Sequence, residues 1–331
     1  MFANPININR RASGLLTASL FAFTLAFTAC KNGEENPITT PVPQTITDLV
    51  VANNQFTLLE TAVIRAGLNT TLSGTGPFTV FAPTDDAFRA AGFADAAAVN
   101  AAPVATLTSI LQYHVLSGSV AASAIPAGQS AQQTALTTNG TVYVSKAASR
   151  SGTTGTGVSV NGSRVVQADV QASNGVIHVI DRVLTPPTGT ILAVAQADTT
   201  LSYLVAAALR GGTAVTTALG GTTPLTVFAP TNAAFRTTPY NTIAAINAAP
   251  ADTLIKILTY HVVPGVRAYS PTLTNGAVIT TFQTGTITAG VSASAVTVTG
   301  RGNGTNASRV TTSDISATNG VIHKIDRVLL P

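Results

Sequence analysis

The chain switches between two kinds of hydrophobic spacing, and it does so twice. From Thr45 to Gly67 the apolar residues fall at helical intervals: Ile46, Leu49 and Val50, then Phe56, Leu59, Val63 and Ala66. This predicts a helix that Gly67 ends. The run Pro77-Phe78-Thr79-Val80-Phe81-Ala82 is short and mostly apolar, as a buried strand is, and Pro83 closes it. Thr84 is placed to cap a helix through Asp85-Asp86-Ala87-Phe88, whose two acids lie in the first turn where the helix dipole favours them. Pro103 opens a further helix with Val104, Leu107, Ile110 and Leu111 on one face. After Tyr113-His114-Val115 the spacing predicts strands at 141–145, 158–160, 165–170 and 175–184. Between them stand Asn139-Gly140, Asn161-Gly162 and Asn174-Gly175, dipeptides that close hairpins. The same order then returns, with helices predicted over 191–210 and 252–259 and strands over 225–229, 295–299, 309–316 and 320–329. Helices first and strands second, in each half, predict an α+β fold.

The halves share residues as well as pattern. Thr79-Val80-Phe81-Ala82-Pro83-Thr84 recurs at Thr226-Val227-Phe228-Ala229-Pro230-Thr231, and Tyr113-His114 recurs at Tyr260-His261. Asn174-Gly175-Val176-Ile177-His178-Val179-Ile180-Asp181-Arg182-Val183-Leu184 recurs from Asn319 to Leu329 with a single change, Lys324 for Val179. The offsets are 147, 147 and 145 residues. Such a period exceeds that of stacked repeats, ~20–50 residues, and suits independent domains of ~100–150. The predicted division is 44–186 and 187–331, joined through Thr185-Pro186-Pro187-Thr188, a short, stiff connection.

These blocks resemble fasciclin-like domains, over about residues 45–186 and 189–331. The motif residues are Phe81, Pro83, Thr84, Tyr113, His114, His178 and Asp181 in the first copy, and Phe228, Pro230, Thr231, Tyr260, His261, His323 and Asp326 in the second. The resemblance implies a β-wedge or sandwich core flanked by helices, in a secreted or surface-anchored adhesion module with no shared enzymatic activity. It also implies a structural or adhesive role for the motif residues, since the family's Tyr-His pair has been linked to receptor adhesion in animal matrix proteins.

The N-terminus reads as an address. Arg10 and Arg11 precede a mostly apolar stretch from Gly14 to Ala29, short for a membrane span and fitting for a secretory signal over 1–29. Leu25-Ala26-Phe27-Thr28-Ala29-Cys30 resembles a lipobox, with a bulky residue at −3, a small one at −1, and then the only cysteine of the chain. Acylation at Cys30 is expected, with several chains giving a stable anchor; ordinary cleavage after Ala26, with Thr24 at −3, is the alternative. A polar, Pro-rich tether follows over 30–43. Lys31, where Asp would resemble an inner-membrane retention signal, directs the expectation to the outer membrane or cell surface of a Gram-negative bacterium.

Composition narrows the chemistry. Taking Arg10 and Arg11 from the 17 basic residues leaves 15 against 13 acidic ones, without a basic run, so no nucleic-acid partner is expected. Without Cys30 the chain has no thiol for a disulfide or a metal site. The four histidines all lie in the repeated blocks. His114 sits on or just past the apolar face of its helix, and His178 alternates with Val176 and Ile180, which favours buried structural histidines over ligands. Asp181 and Asp326 are single acids in matched strands, suited to a hydrogen bond with backbone rather than a carboxylate dyad. Gly302-Asn303-Gly304-Thr305-Asn306-Ala307 matches a dinucleotide string but precedes a strand, not a helix, so it reads as a hairpin loop. No catalytic, metal or cofactor site is expected. The expected function is non-enzymatic contact with an unknown surface protein or glycan, by a lipid-anchored envelope protein. A purely structural envelope or biofilm component is the alternative, and a hydrolase the remote one.

Overall fold

Each half opens with a helical layer whose breaks are set by polar side chains. In the computed structural model, which describes residues 42–146 and 156–331, α1 spans Ile46–Val51 and α2 Thr57–Arg65. The expected signal segment 1–29, Cys30 and most of the expected tether lie outside the described residues. The single helix expected over 45–67 is therefore two. Asn53 interrupts it by accepting from the Gln55 amide, which starts a 3-10 turn at Asn54–Phe56. Asp85 then caps α2 from a distance, taking the Leu58 amide at 2.9 Å and the Thr57 hydroxyl at 2.6 Å. The second half repeats the break. The helix expected over 191–210 divides at Asp198, which accepts from the Thr200 amide.

The remaining elements of the first half are α3 (Asn69–Leu72), β1 (Phe78–Pro83), α4 (Asp85–Ala90), α5 (Ala96–Ala101), α6 (Val104–Tyr113), β2 (Val115–Ser117), β3 (Gly128–Gln133), β4 (Thr141–Lys146), β5 (Val158–Val160), β6 (Ser163–Ala172) and β7 (Gly175–Ile180). The second half has α7 (Ile191–Ala197), α8 (Ser202–Arg210), α9 (Thr213–Gly220), β8 (Leu225–Pro230), α10 (Asn232–Arg236), α11 (Ile243–Ala248), α12 (Ala251–Tyr260), β9 (Val262–Pro264), β10 (Val278–Thr280), β11 (Thr286–Val291), β12 (Val296–Gly300), β13 (Ser308–Ala317) and β14 (Gly320–Ile325). Before α8, a 3-10 turn at Thr199–Leu201 follows the break, and the two helical pieces are bent by 104°. Residues 302–307 join β12 to the strand β13 through a turn, with no helix after them.

One seven-stranded sheet forms in each half, ordered β2-β1-β7-β6-β5-β4-β3 in the first and β10-β11-β12-β13-β14-β8-β9 in the second. Among the described residues, the only parallel neighbours in each are strands of the repeated blocks. β1 runs beside β7 with Phe81 opposite His178, and β8 beside β14 with Phe228 opposite His323. The first sheet then curls until its ends meet, where Leu116 bridges Thr134 and the Ala135 amide donates to the Val115 carbonyl at 2.8 Å. Phe282 makes the same closing bond to Val262 at 2.7 Å.

The central strands thus have two buried faces. Val80, Ala82, Ile177 and Val179 pack against the helices, while Phe81 and Ile180 pack into the curled β part with Val142, Val160 and Val165. The second half divides its core likewise. At the start of β7 the backbones come so close that a Cβ on Gly175 would lie 2.1 Å from the Phe78 carbonyl oxygen. Gly320 stands the same way, 2.1 Å from that of Leu225. Only glycine fits at those two positions.

Candidate functional site

The repeated blocks converge on the junction between helices and sheet, and there their polar atoms are consumed. His114 is the C-terminal cap residue of α6 and is buried. Its Nδ1–H donates to the Ile110 carbonyl at 2.7 Å, and its Nε2 accepts from the Leu184 amide at 2.9 Å. His261 repeats this with Ile257 at 2.8 Å and Leu329 at 2.8 Å. Both rings are therefore neutral, protonated on Nδ1. Burial disfavours the charged form and lowers each pKa to about 4, with the backbone bond opposing it.

The strand histidines use the other tautomer. His178 Nε2–H donates to the Val120 carbonyl at 2.8 Å while Nδ1 accepts from the Asp169 amide at 3.3 Å. His323 does so with Ala268 at 2.9 Å and Asp314 at 3.2 Å. Phe81 lies 5.7 Å from the ring of His178, and Phe228 stacks at 5.4 Å on His323. Each imidazole thus spans from its sheet to the loop beyond β2 or β9 and holds it there.

The tyrosines point into the curled sheet. Tyr113 donates its hydroxyl to the Thr141 carbonyl at 2.9 Å and accepts from Asn161 Nδ2 at 2.8 Å. Tyr260 donates to Thr286 and accepts from the Arg301 amide. Both are 1% exposed, so the Tyr-His pairs present no atom to a partner at the surface. Thr84 and Thr231 cap α4 and α10, each taking an amide at 3.3 Å, and Pro83 and Pro230 end the strands before them. Asp181 accepts from the Arg164 amide at 2.8 Å and the Ser163 hydroxyl at 3.0 Å, and Asp326 accepts from the Arg309 amide at 2.8 Å. No three His, Cys, Asp or Glu side chains among the described residues gather as a metal site would need.

Two buried positions in the blocks carry more than their sequence signal suggests. Asn174 and Asn319 look like turn residues. Asn174 instead accepts from the Ile46 amide at 2.9 Å and donates to the Leu72 and Gly74 carbonyls, each at 2.8 Å. Asn319 does the same for Ile191, Leu219 and Gly221. Their recurrence at an offset of 145 was the available clue.

The two halves also touch directly, beyond the Pro-rich joint. The Arg182 guanidinium lies 3.0 Å from the Asp314 carboxylate and bonds the Ser313 hydroxyl at 3.2 Å. Asp314 is 2% exposed in its side chain and also accepts from the Ser270 amide and hydroxyl. Gly162 leaves it room, since a Cβ there would fall 2.3 Å from the Asp314 carboxyl carbon. Further along the seam Gln129 donates to the Arg267 carbonyl at 2.9 Å, and Arg267 lies over Tyr143. Beside these contacts runs a cleft of about 460 Å³, lined from both halves by the polar Asn161, Arg182 and Asp314 and by the apolar Ala87, Leu184 and Ile315 among others.

This is a tandem α+β pair in which the recurring histidines, tyrosines and asparagines bond within the fold. The profile of the Fasciclin domain matches residues 54–186 and 198–331, and the chain belongs to that family. Among its relatives, protein sll1483 of Synechocystis is 40% identical over 145 residues, 43% of this chain and 74% of that protein. Transforming growth factor-beta-induced protein ig-h3 of Sus scrofa is 29% identical over 262 residues, covering 78% of this chain and 35% of the relative. Human periostin is 36% identical over 176 residues, covering 53% of this chain and 20% of its own length. The chain thus spans only a minor part of the animal relatives. A solved domain pair from the insect cell adhesion molecule fasciclin I aligns over 83% of this chain and 96% of its own, with 21% identity and a TM-score of 0.40. Proteins with this domain are typically adhesion-related.

Proposed function

We propose that this chain is a non-enzymatic adhesion protein, lipid-anchored through Cys30 on the outside of a Gram-negative envelope, whose fasciclin pair contacts a matrix protein or glycan. One observation carries the reading. The four histidines and both aspartates of the repeated blocks bond within the fold, mostly to backbone, in both copies. What remains for function is the outer surface, and charged residues make up only 9% of the chain. Contact then falls to Thr, Ser and Asn side chains and small apolar patches. Each contact is weak, but many tethered copies raise the effective concentration.

The lipobox motivates the anchor. Cys30→Ser is expected to move the protein to the soluble fraction, and unchanged membrane fractionation would overturn that part. For the adhesive part, beads coated with fragment 44–331 are compared with bare beads on glycan- and matrix-coated surfaces, at low and high salt. Adhesion that survives high salt supports the proposal, since polar and apolar contacts are little screened. Coated beads that bind no better than bare ones would favour a structural envelope component instead.

A further inference from the structure

The same apolar cavity occurs in both domains, and in the second it has been changed in one direction. It lies between the helical layer and the sheet, with about 130 Å³ in the first domain and about 170 Å³ in the second. Equivalent positions follow from the repeat. Polar wall residues Thr47, Glu60 and Thr71 of the first cavity correspond to Leu192, Val205 and Ala218 of the second. Larger wall residues Val50, Val63 and Leu68 correspond to Ala195, Ala208 and Val215. At the mouth, Ala135 corresponds to Phe282, since both make the closing bond of their sheet, and Phe282 is 52% exposed. The second cavity has lost polarity, gained volume and acquired an aromatic ring at its entrance.

Its polar atoms are spoken for. His261 has both nitrogens bonded, and the Thr259 hydroxyl donates to the Ile255 carbonyl at 2.7 Å. A water inside needs two to four polar partners and would find none. Dry apolar space of this size is destabilising when empty, and an apolar molecule that fills it restores the lost contacts. A cavity of roughly 150 Å³ with such walls takes benzene, which sets the scale of the occupant.

We propose that the cavity beneath α7, α8 and α9 is a binding site for an uncharged hydrocarbon group of about benzene size, either one ring or the end of an alkyl chain. The first-domain cavity is its unspecialised counterpart. The site stands apart from the adhesive reading and does not depend on it. Sequence numbers 195, 208 and 282 mark what distinguishes it: two alanines that open the floor and one phenylalanine that covers the mouth.

The test is methyl NMR on the full chain carrying Cys30→Ser, so that no lipid of its own competes. Benzene is titrated in one arm, n-hexane in a second and phosphatidylethanolamine vesicles in a third. Saturable shifts are expected at the methyls of Ala195, Ala208, Val215 and Leu219, at lower concentration than at Val50, Val63, Leu68 and Leu72. Shifts with vesicles would identify a membrane acyl chain as the source, and shifts with free hydrocarbon alone a small molecule. Ala195→Val with Ala208→Val is expected to weaken binding at least tenfold. The exposed Phe282→Ala gives a second reading if the core variant folds poorly, with a several-fold loss expected. Equal response in the two domains, no saturation in any arm, or unchanged binding in the folded variants would overturn the proposal.

Discussion

The guanidinium of Arg267 lies over the ring of Tyr143, 4.4 Å from its centroid, so a cation of the second domain is buried on an aromatic of the first. The arrangement breaks the repeat. Thr79 donates to Gly118 and accepts from Val120, while Thr226 donates to Val266 and accepts from Ala268, which makes Ser119 the counterpart of Arg267. Tyr143 likewise corresponds to Thr288, two residues beyond the carbonyl that receives the Tyr hydroxyl in each half. The pair therefore belongs to the seam and to no single domain. Arg267 also reaches the Thr318 carbonyl at 2.8 Å, which holds its plane against the ring.

Removing either partner should loosen the seam. A desolvated cation–π pair contributes about 1–2 kcal/mol. A double-mutant cycle with Arg267→Ala and Tyr143→Ala is expected to show coupling of ~1–2 kcal/mol in urea unfolding. Each single variant should also separate the unfolding of the two domains, each of which has its own core. Arg182→Ala should matter less, since that side chain is 46% exposed and Asp314 keeps its two Ser270 donors. A coupling near zero would mean that the ring and the guanidinium are neighbours without mutual attraction.

His114 and His261 make stability depend on pH in a defined window. Each is held near a pKa of about 4 when folded, against 6.5 for the ordinary side chain. Below pH 6.5 the unfolded chain binds protons that the folded one refuses, so stability falls with pH until about pH 4. The loss is on the order of 3 kcal/mol per histidine. Urea midpoints at pH 7, 5.5 and 4 should fall steadily, and His261→Gln should flatten about half of that slope. A slope unaltered by the substitution would place its origin in other groups.

How much of this was readable before the fold depended on distance along the chain. The face shared by Val176, His178 and Ile180, and the apolar stripe of α6, are periodic features and predict burial from spacing alone. The breaks in the first helices are not periodic features. Asp85 caps a helix that begins 28 residues earlier, and no local pattern reports that. β3, read as Gly-Gln-Ser-Ala-Gln-Gln, escaped because it is an edge strand with half-exposed faces and no apolar alternation. The seam escaped for the opposite reason, since Arg267 and Tyr143 differ from their counterparts and a search for recurrence passes over them.

The parallel pairing of β1 with β7 gives a sharp contrast between glycines. Gly175→Ala puts a Cβ 2.1 Å from the Phe78 carbonyl oxygen, backbone against backbone in the middle of a sheet. Either the parallel pairing opens or the substitution fails to fold, and a loss above ~4 kcal/mol is expected. Gly212 also has a left-handed φ, of 82°, but nothing lies within 4 Å of its would-be Cβ. With ψ at −168° that backbone is nearly confined to glycine, so Gly212→Ala should cost ~1–3 kcal/mol of strain and no steric clash. Thermal melts of the two variants test the difference, and equal losses would remove the steric account.

Asn174 offers the most discriminating single atom change. Its Oδ1 receives the Ile46 amide at the start of α1, and its Nδ2 donates to Leu72 at the end of α3 and to Gly74 beyond it. One side chain thus ties the first helix, the third helix and the turn before β7. Asn174→Asp keeps the shape and the acceptor but turns a donor into an anionic oxygen that faces two carbonyls. Each carbonyl left unpaired costs ~1–3 kcal/mol, so a loss of ~2–6 kcal/mol at pH 7 is expected. The introduced carboxyl is buried against acceptors, which raises its folded pKa above the unfolded value. Its protonated form donates one bond, so the deficit relative to the parent should shrink as pH falls and grow as pH rises through that raised pKa. Asn319→Asp should behave alike, because its three partners are equivalent. Urea unfolding of both variants against the parent at pH 7 and pH 5 decides the matter. A deficit that stays constant with pH would show that lost packing, not the missing donor, is what the substitution removes.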